Sequence, residues 1–287
     1  MHRLHLTTGL ILMALLPACQ DIPETAIGPT APIASRNRIA YVGLSEDIRF
    51  SLFMVGQDGS NPFPLVEQGS DFQDPEFAPD GRSLVLTSNR MGNWDIHLID
   101  LETLSLTSLA AGLFTDVQPS FSPDGNRIAF QRQTGTDLDW DIFVMNVDGT
   151  EIRNLTNSVG PDRRPTWSPD GSRIAYQSGE RLDQEIWVID SDGENRSQLT
   201  PSRPGMSGSP TWSPDGAFVL FESSEHQGDV SPTIQILYDL YVVSADGSGL
   251  RRLTEFSSPN RSVRFPAWAP SGTRIVFEVS ESDQTFG

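Results

Sequence analysis

Two adjacent arginines, Arg163-Arg164, stand in a chain with 38 acidic residues against 20 basic ones, all of the latter arginine. A guanidinium fork suits a carboxylate, so the pair is a candidate ligand contact. Asp137, Asp139 and Asp141 crowd one loop in a pattern that raises the question of a cation. Asp141, however, is matched by Asp95, Glu185 and Asp239 at the same place in a repeating pattern, which marks it as scaffold; the loop reads as a solvated acidic segment. Asp148-Gly149, Asp190-x-Asp192-Gly193 and Asp246-Gly247 lack the spacing and distal glutamate of a calcium loop and read as hairpin turns. Of the histidines only His97 and His226 lie beyond residue 5, and His97 occupies a place held elsewhere by Phe143, Trp187 and Tyr241. No Gly-x-Ser-x-Gly elbow occurs. No catalytic residue, metal ligand or cofactor is therefore assigned. Carboxylate pairs of the glycosidase kind stay open, because their separation is not encoded in sequence.

The elements that must position these residues come in copies. Pro-x-Phe/Trp-Ser/Ala-Pro-Asp/Ser-Gly begins at Pro75, Pro119, Pro165, Pro210 and Pro266, at spacings of 44, 46, 45 and 56 residues. Around the third copy, a short strand reaches Trp167, and Pro169-Asp170-Gly171 turns the chain. Arg173 to Gln177 alternates apolar and polar, Glu185 to Asp190 is a third strand, and Arg196 to Thr200 a fourth. Each unit has two apolar faces and cannot bury them alone, so radial stacking of like units follows. The recurrent aromatics Phe77, Phe121, Trp167, Trp212 and Trp268 are read as wedges between neighbouring units rather than as ligand platforms. The expected fold is all-β: a β-propeller of four-stranded blades. Twenty-one strands are countable, one more than five blades use and three fewer than six want.

The repeat resembles the TolB-like propeller family, whose hallmark is S-P-D-G, I-A-F, D-I-x-V-M-N-x-D-G and a closing L-T. The residues that carry the resemblance are Phe121 to Gly125, Ile128-Ala129-Phe130, Asp141 to Gly149 and Leu155-Thr156. It covers nearly everything from Arg38 to Ser280. The family that the repeat resembles implies six blades with the closing one incomplete, and five stays open. The resemblance implies an envelope module that docks a protein or peptide, such as a peptidoglycan-associated lipoprotein. Related repeats also serve peptidases, whose hydrolase domain has no counterpart here, and pectin-degrading lyases, whose three-histidine metal site cannot be built from His97 and His226. The TolB-like family's small N-terminal domain is absent from this chain.

Residues 1–18 read as a signal peptide: a short basic start, the apolar stretch Leu6 to Leu16, then Leu16-Pro17-Ala18-Cys19. The last four resemble a bacterial lipobox, with Cys19, the single cysteine, as the lipidated residue. Residues 19–35 hold Pro23, Pro29 and Pro32 and form a tether, and residues 36–287 form the propeller. Gln20 resembles an outer-membrane sorting signal, so the expected location is the periplasmic face of the outer membrane or the cell surface. The membrane is engaged through the anchor only, and a monomer is expected. A net charge of −18 argues against nucleic acid.

Binding residues on a propeller should be polar, near the inner strands, and different from repeat to repeat. Just before the recurrent proline stand Asp74, Gln118, Arg164, Ser209 and Phe265; upstream are Asp116, Asp162 and Arg163. Asp74, Asp116, Gln118, Asp162, Arg163, Arg164 and Ser209 are the candidate ligand contacts at the channel mouth. The loop Ser223 to Tyr238, with Ile234, Ile236 and Leu237, is either a partner-facing lip or a segment folded back on its blade. A cell-surface propeller that binds or acts on carbohydrate is the alternative function.

Overall fold

A computed structural model describes residues 13–14, 38–44, 49–66, 70–110, 112–135, 139–158, 160–180, 183–202, 205–224, 237–255 and 261–281. Two compact units result, residues 1–117 and 118–287.

In the first unit, β1 (Met13–Ala14), β2 (Arg38–Leu44), β3 (Phe50–Gly56) and β4 (Phe63–Pro64) form one four-stranded sheet. A second contains β5 (Phe72–Phe77), β6 (Ser83–Ser88), β7 (Asp95–Asp100) and β8 (Leu106–Ser108). Met13–Ala14, inside the stretch read as a leader, pairs antiparallel with Tyr41 and Ala40 and accounts for the one strand beyond the twenty-one counted. Side chains from both sheets, among them Leu52, Met54, Phe77, Leu84 and Ile99, make one buried cluster.

In the second unit the same order repeats. β9 (Asp116–Phe121), which begins two residues ahead of the unit boundary, leads into β10 (Arg127–Gln133), β11 (Trp140–Asn146) and β12 (Arg153–Asn154). Then come β13 (Asp162–Trp167), β14 (Arg173–Ser178), β15 (Asp183–Asp190) and β16 (Ser197–Gln198), followed by β17 (Gly205–Trp212), β18 (Phe218–Ser223), β19 (Asp239–Ser244) and β20 (Arg251–Arg252). A short parallel bridge, Asp183 to Gly205, joins the last two groups. β21 (Arg261–Trp268) and β22 (Ile275–Glu281) form a two-stranded sheet. All the described regular structure is β, in meanders of short antiparallel strands; the protein is a β-propeller.

The wedge reading of the aromatics agrees with their burial. Phe77, Phe121, Trp167 and Trp212 are each at most 6% exposed. Trp167 packs with Ala129, Ile142 and Val144 of one blade and Ile174 and Tyr176 of the next. Trp212 does the same between Ile186 and Val219. Burial of this size stabilises by about 2–3 kcal/mol per large side chain and is what holds blade to blade.

The turn after β9, β13 and β17 is built the same way, whereas Ala78 and Ala269 replace the serine in the first and last copies. Ser168 Oγ donates to Asp170 Oδ1 at 2.6 Å and accepts from the Arg173 amide at 2.9 Å, while Gly171 takes φ +70°. Hydrogen bonds from Ser168 and Ser172 hold the Asp170 carboxyl down to about 2. Ser122 with Asp124 and Ser213 with Asp215 repeat the arrangement.

A second device closes three blades from outside. Thr156 Oγ1 donates to Asp141 Oδ1 at 3.2 Å and accepts from the Ile142 amide at 3.0 Å. Thr200 does the same with Glu185 and Ile186, at 2.5 and 3.0 Å, and Thr254 with Asp239 and Leu240, at 2.7 and 2.9 Å. The residues read as scaffold in the sequence therefore form a carboxylate–threonine lock.

Candidate functional site at the inner strands

The residue before each recurrent proline is in the left-handed region: Asp74 at φ 50°, Gln118 at 54°, Arg164 at 55°, Ser209 at 50° and Phe265 at 51°. A non-glycine residue there costs on the order of 1 kcal/mol or more and persists only when its surroundings enforce it. The strand register slips at the same place in β5, β13, β17 and β21, so Asp74, Arg164, Ser209 and Phe265 are bulge residues.

What enforces the bulge comes from the neighbouring blade. The Arg164 amide donates to Gln131 Oε1 at 3.1 Å, and the Phe265 amide to Glu222 Oε2 at 2.8 Å. Gln131, Gln177 and Glu222 share one place, just after the aromatic of the second strand. Gln177 lies against Gly208, where an added Cβ would come within 2.7 Å of its Oε1. The bulge frees an amide, and a side chain of the preceding blade takes it.

With the backbone held this way, the variable side chains converge in the second unit. Arg164 Nη1 donates to Ser209 Oγ, and its guanidinium lies 5.2 Å from the centre of the Phe265 ring. Ser209 Oγ donates in turn to Glu222 Oε1 at 3.1 Å. Three inner strands, β13, β17 and β21, are thus linked through Arg164, Ser209, Phe265 and the Glu222 carboxylate. Tyr238, at the end of the long loop, joins them: Arg264 lies 4.4 Å from its ring centre and its hydroxyl meets Met206 Sδ at 3.8 Å. Burial first, and the Glu222 charge, push the Tyr238 hydroxyl pKa up against the pull of Arg264 and Arg164. Arg163 lies 6.0 Å from the Trp140 ring centre; burial and then the charge of Arg164 lower its pKa, with Glu180 opposing.

Of the seven candidate contacts read from sequence, Arg163, Arg164 and Ser209 come together on adjoining inner strands. Gln118 occupies the equivalent left-handed position of β9 and is half-buried. Asp162 is fully buried, with Ser158 Oγ at 2.6 Å and Arg196 Nη2 at 3.3 Å; Arg196 also donates to Tyr176 Oη and Ser178 Oγ. Burial raises the Asp162 pKa above the ordinary value of 3.8, opposed by these partners. Asp74 and Asp116 belong to the first unit: Asp74 receives Thr87 Oγ1 at 3.4 Å, and Asp116 is fully buried with its amide on the Trp94 carbonyl. Cys19, Asp137, His226, Ile234 and Ile236 lie outside the described residues.

Glu222, Arg264 and Arg196 were missed from sequence. Glu222 had a signal, since it replaces Gln131 and Gln177 of sister repeats; Arg264 had one too, as the counterpart of Arg163. Arg196 had none, because its reach to Asp162 spans 34 residues and depends on tertiary packing.

Elsewhere, His97 is buried with Nδ1 on the Asp95 carbonyl at 3.1 Å, and burial lowers its pKa. No group of three His, Cys, Asp or Glu among the described residues is arranged to hold a metal. A cavity of about 300 Å³ lies at the opposite end of β13, lined by Ser168, Pro169, Asp170, Arg173, Asp215 and Gly216. It is made of the repeated turn residues, whereas the inner-strand site is made of residues that differ between repeats.

Fold and site together define a β-propeller whose inner strands present a variable, arginine-bearing surface. The TolB beta propeller domain matches residues 33–225, and the chain belongs to that family. A Tol-Pal system protein TolB from Xanthomonas oryzae pv. oryzae is 36% identical over 69 residues, 23% of this chain and 16% of that protein, so the match spans under a fifth of the relative's length. The structure of a putative TolB from Agrobacterium tumefaciens superposes with a TM-score of 0.68 at 21% identity, covering 86% of each chain. An oligogalacturonate lyase in complex with manganese superposes at 0.58 and 14% identity, covering 84% of this chain and 82% of that one. At these identities the structural likenesses establish the fold alone.

Proposed function

We propose that this protein is a non-enzymatic lipoprotein of the cell envelope whose propeller binds a protein or peptide at the inner-strand surface of its second unit. Cys19 carries the lipid, residues 20–35 tether the propeller, and the domain works as a monomer at the outer membrane or cell surface. The observation that carries the reading is the split within each repeat. The left-handed backbone recurs, with an amide acceptor borrowed from the preceding blade at Arg164 and Phe265, while the side chain placed there changes from Gln118 to Arg164 to Ser209 to Phe265. Such a scaffold with interchangeable side chains is how a rigid fold presents a recognition surface. The family relationship supports it, since the relative in Xanthomonas oryzae is a protein of the Tol-Pal system.

Affinity capture from envelope extract with the detergent-solubilised full chain, beside the Arg163→Ala/Arg164→Ala chain, tests it. A partner retained by the first and lost by the second is the expected result. Identical sets from both baits would overturn the placement. A second reading is a cell-surface propeller that binds or acts on carbohydrate, the fold being one an oligogalacturonate lyase also has. Retention of glycans, rather than protein, by the same bait would select it.

A further inference from the structure

Each of β13 and β21 carries an arginine one residue ahead of its left-handed position, and each arginine lies over an aromatic ring of the preceding blade. Arg163 is 6.0 Å from the Trp140 ring centre and Arg264 is 4.4 Å from that of Tyr238. Trp140 and Tyr238 hold the same place in the repeat, immediately before the lock carboxylates Asp141 and Asp239. In β17, between them in the chain, the corresponding residue is Gly208, which projects no side chain. Two arginine–aromatic pairs therefore flank a glycine, and Arg164, Ser209 and Glu222 link the same three strands.

Among the described residues, Arg163, Arg164 and Arg264 make no ion pair within 4.0 Å, although the chain has 38 acidic residues. Arg196 and Arg252, by contrast, are paired with Asp162 and Asp239. Glu222 is engaged by the Phe265 amide and Ser209, and Glu278 faces Arg264 across the strand pair. Glu180 partly offsets the effect of burial and Arg164 on Arg163. A ring beneath a guanidinium stabilises its charge only weakly, so a carboxylate remains the stronger partner for each arginine.

We infer that this surface recognises carboxylates, and that its occupant is an acidic peptide segment whose Asp or Glu side chains meet Arg163 and Arg264 across Gly208. The inference rests on the protein-binding reading above and specifies its chemistry. The net charge of −18 does not oppose it at contact range, because screening limits distant charges to about 8 Å at physiological ionic strength. Two forked arginine contacts set the specificity.

The test uses the full chain and three immobilised probes: a peptide library rich in Asp and Glu, the same library with Asn and Gln in those places, and oligogalacturonate, which offers the carboxylate on a sugar. Retention by the acidic library, weakened by salt and about tenfold weaker for Arg163→Gln or Arg264→Gln, is expected. Equal retention on both libraries, retention on neither, or preference for oligogalacturonate would overturn the inference. If the neutral library is held and Arg164→Ala releases it, the protein-binding reading stands while the carboxylate claim falls.

Discussion

The two ends of a blade are built on opposite plans. At the outer end, Asp141–Thr156, Glu185–Thr200 and Asp239–Thr254 repeat one bond pattern with almost one set of residues. At the inner end the backbone pattern repeats, with its left-handed residue and borrowed acceptor, but the side chain at the bulge differs in every copy. The outer end spends its side chains on closure. The inner end is held by side chains of the neighbouring blade, which leaves its own free to differ. Variation on a rigid frame is what the proposed binding role requires of this end.

Breaking the outer plan should cost most. Thr200→Val removes the 2.5 Å donor to the buried Glu185 carboxylate and the acceptor of the Ile186 amide. A loss of about 2–3 kcal/mol in urea unfolding is expected, with binding retained by the folded fraction. Breaking the inner plan should cost less: Gln131→Leu deprives the Arg164 amide of its acceptor. About 1–2 kcal/mol should be lost by the same measurement, together with binding, because the Arg164 side chain loses its placement. The comparison can also be sharpened. In the blade of β5–β8, Ala110 stands where three other blades have the lock threonine, fifteen residues after the buried Asp95 as Thr156 is after Asp141. Ala110→Thr should supply the missing hydroxyl and raise the melting temperature, by the equivalent of about 0.5–1 kcal/mol.

Much of this was legible in the chain. The repeated Pro-to-Gly phrase set out the strands, turns and wedges, because local turn chemistry and alternation are local properties. The lock carboxylates were recognisable as scaffold for the same reason. The left-handed residues were not, since a residue before proline ordinarily takes an extended conformation; only the neighbouring blade explains Arg164 and Phe265. Proximity to the proline marked Arg164 and Ser209 rightly as neighbours, yet the same proximity gave no hint that Asp162 would be buried beneath Arg196, whose partners are distant in sequence. Tyr238 was visible only as an apolar residue in a long loop, and its place beside Arg264 depends on β21.

Photocrosslinking in cells compares the two ends of a single strand most directly. One full-length chain would carry the crosslinking residue at Ser209, in the inner bulge of β17, and another at Asp215, in the turn that ends it. The account predicts a discrete protein adduct from position 209 that disappears in the Arg163→Ala/Arg164→Ala background, and none from position 215. Adducts from 215 alone, or the same adducts from both, would contradict it.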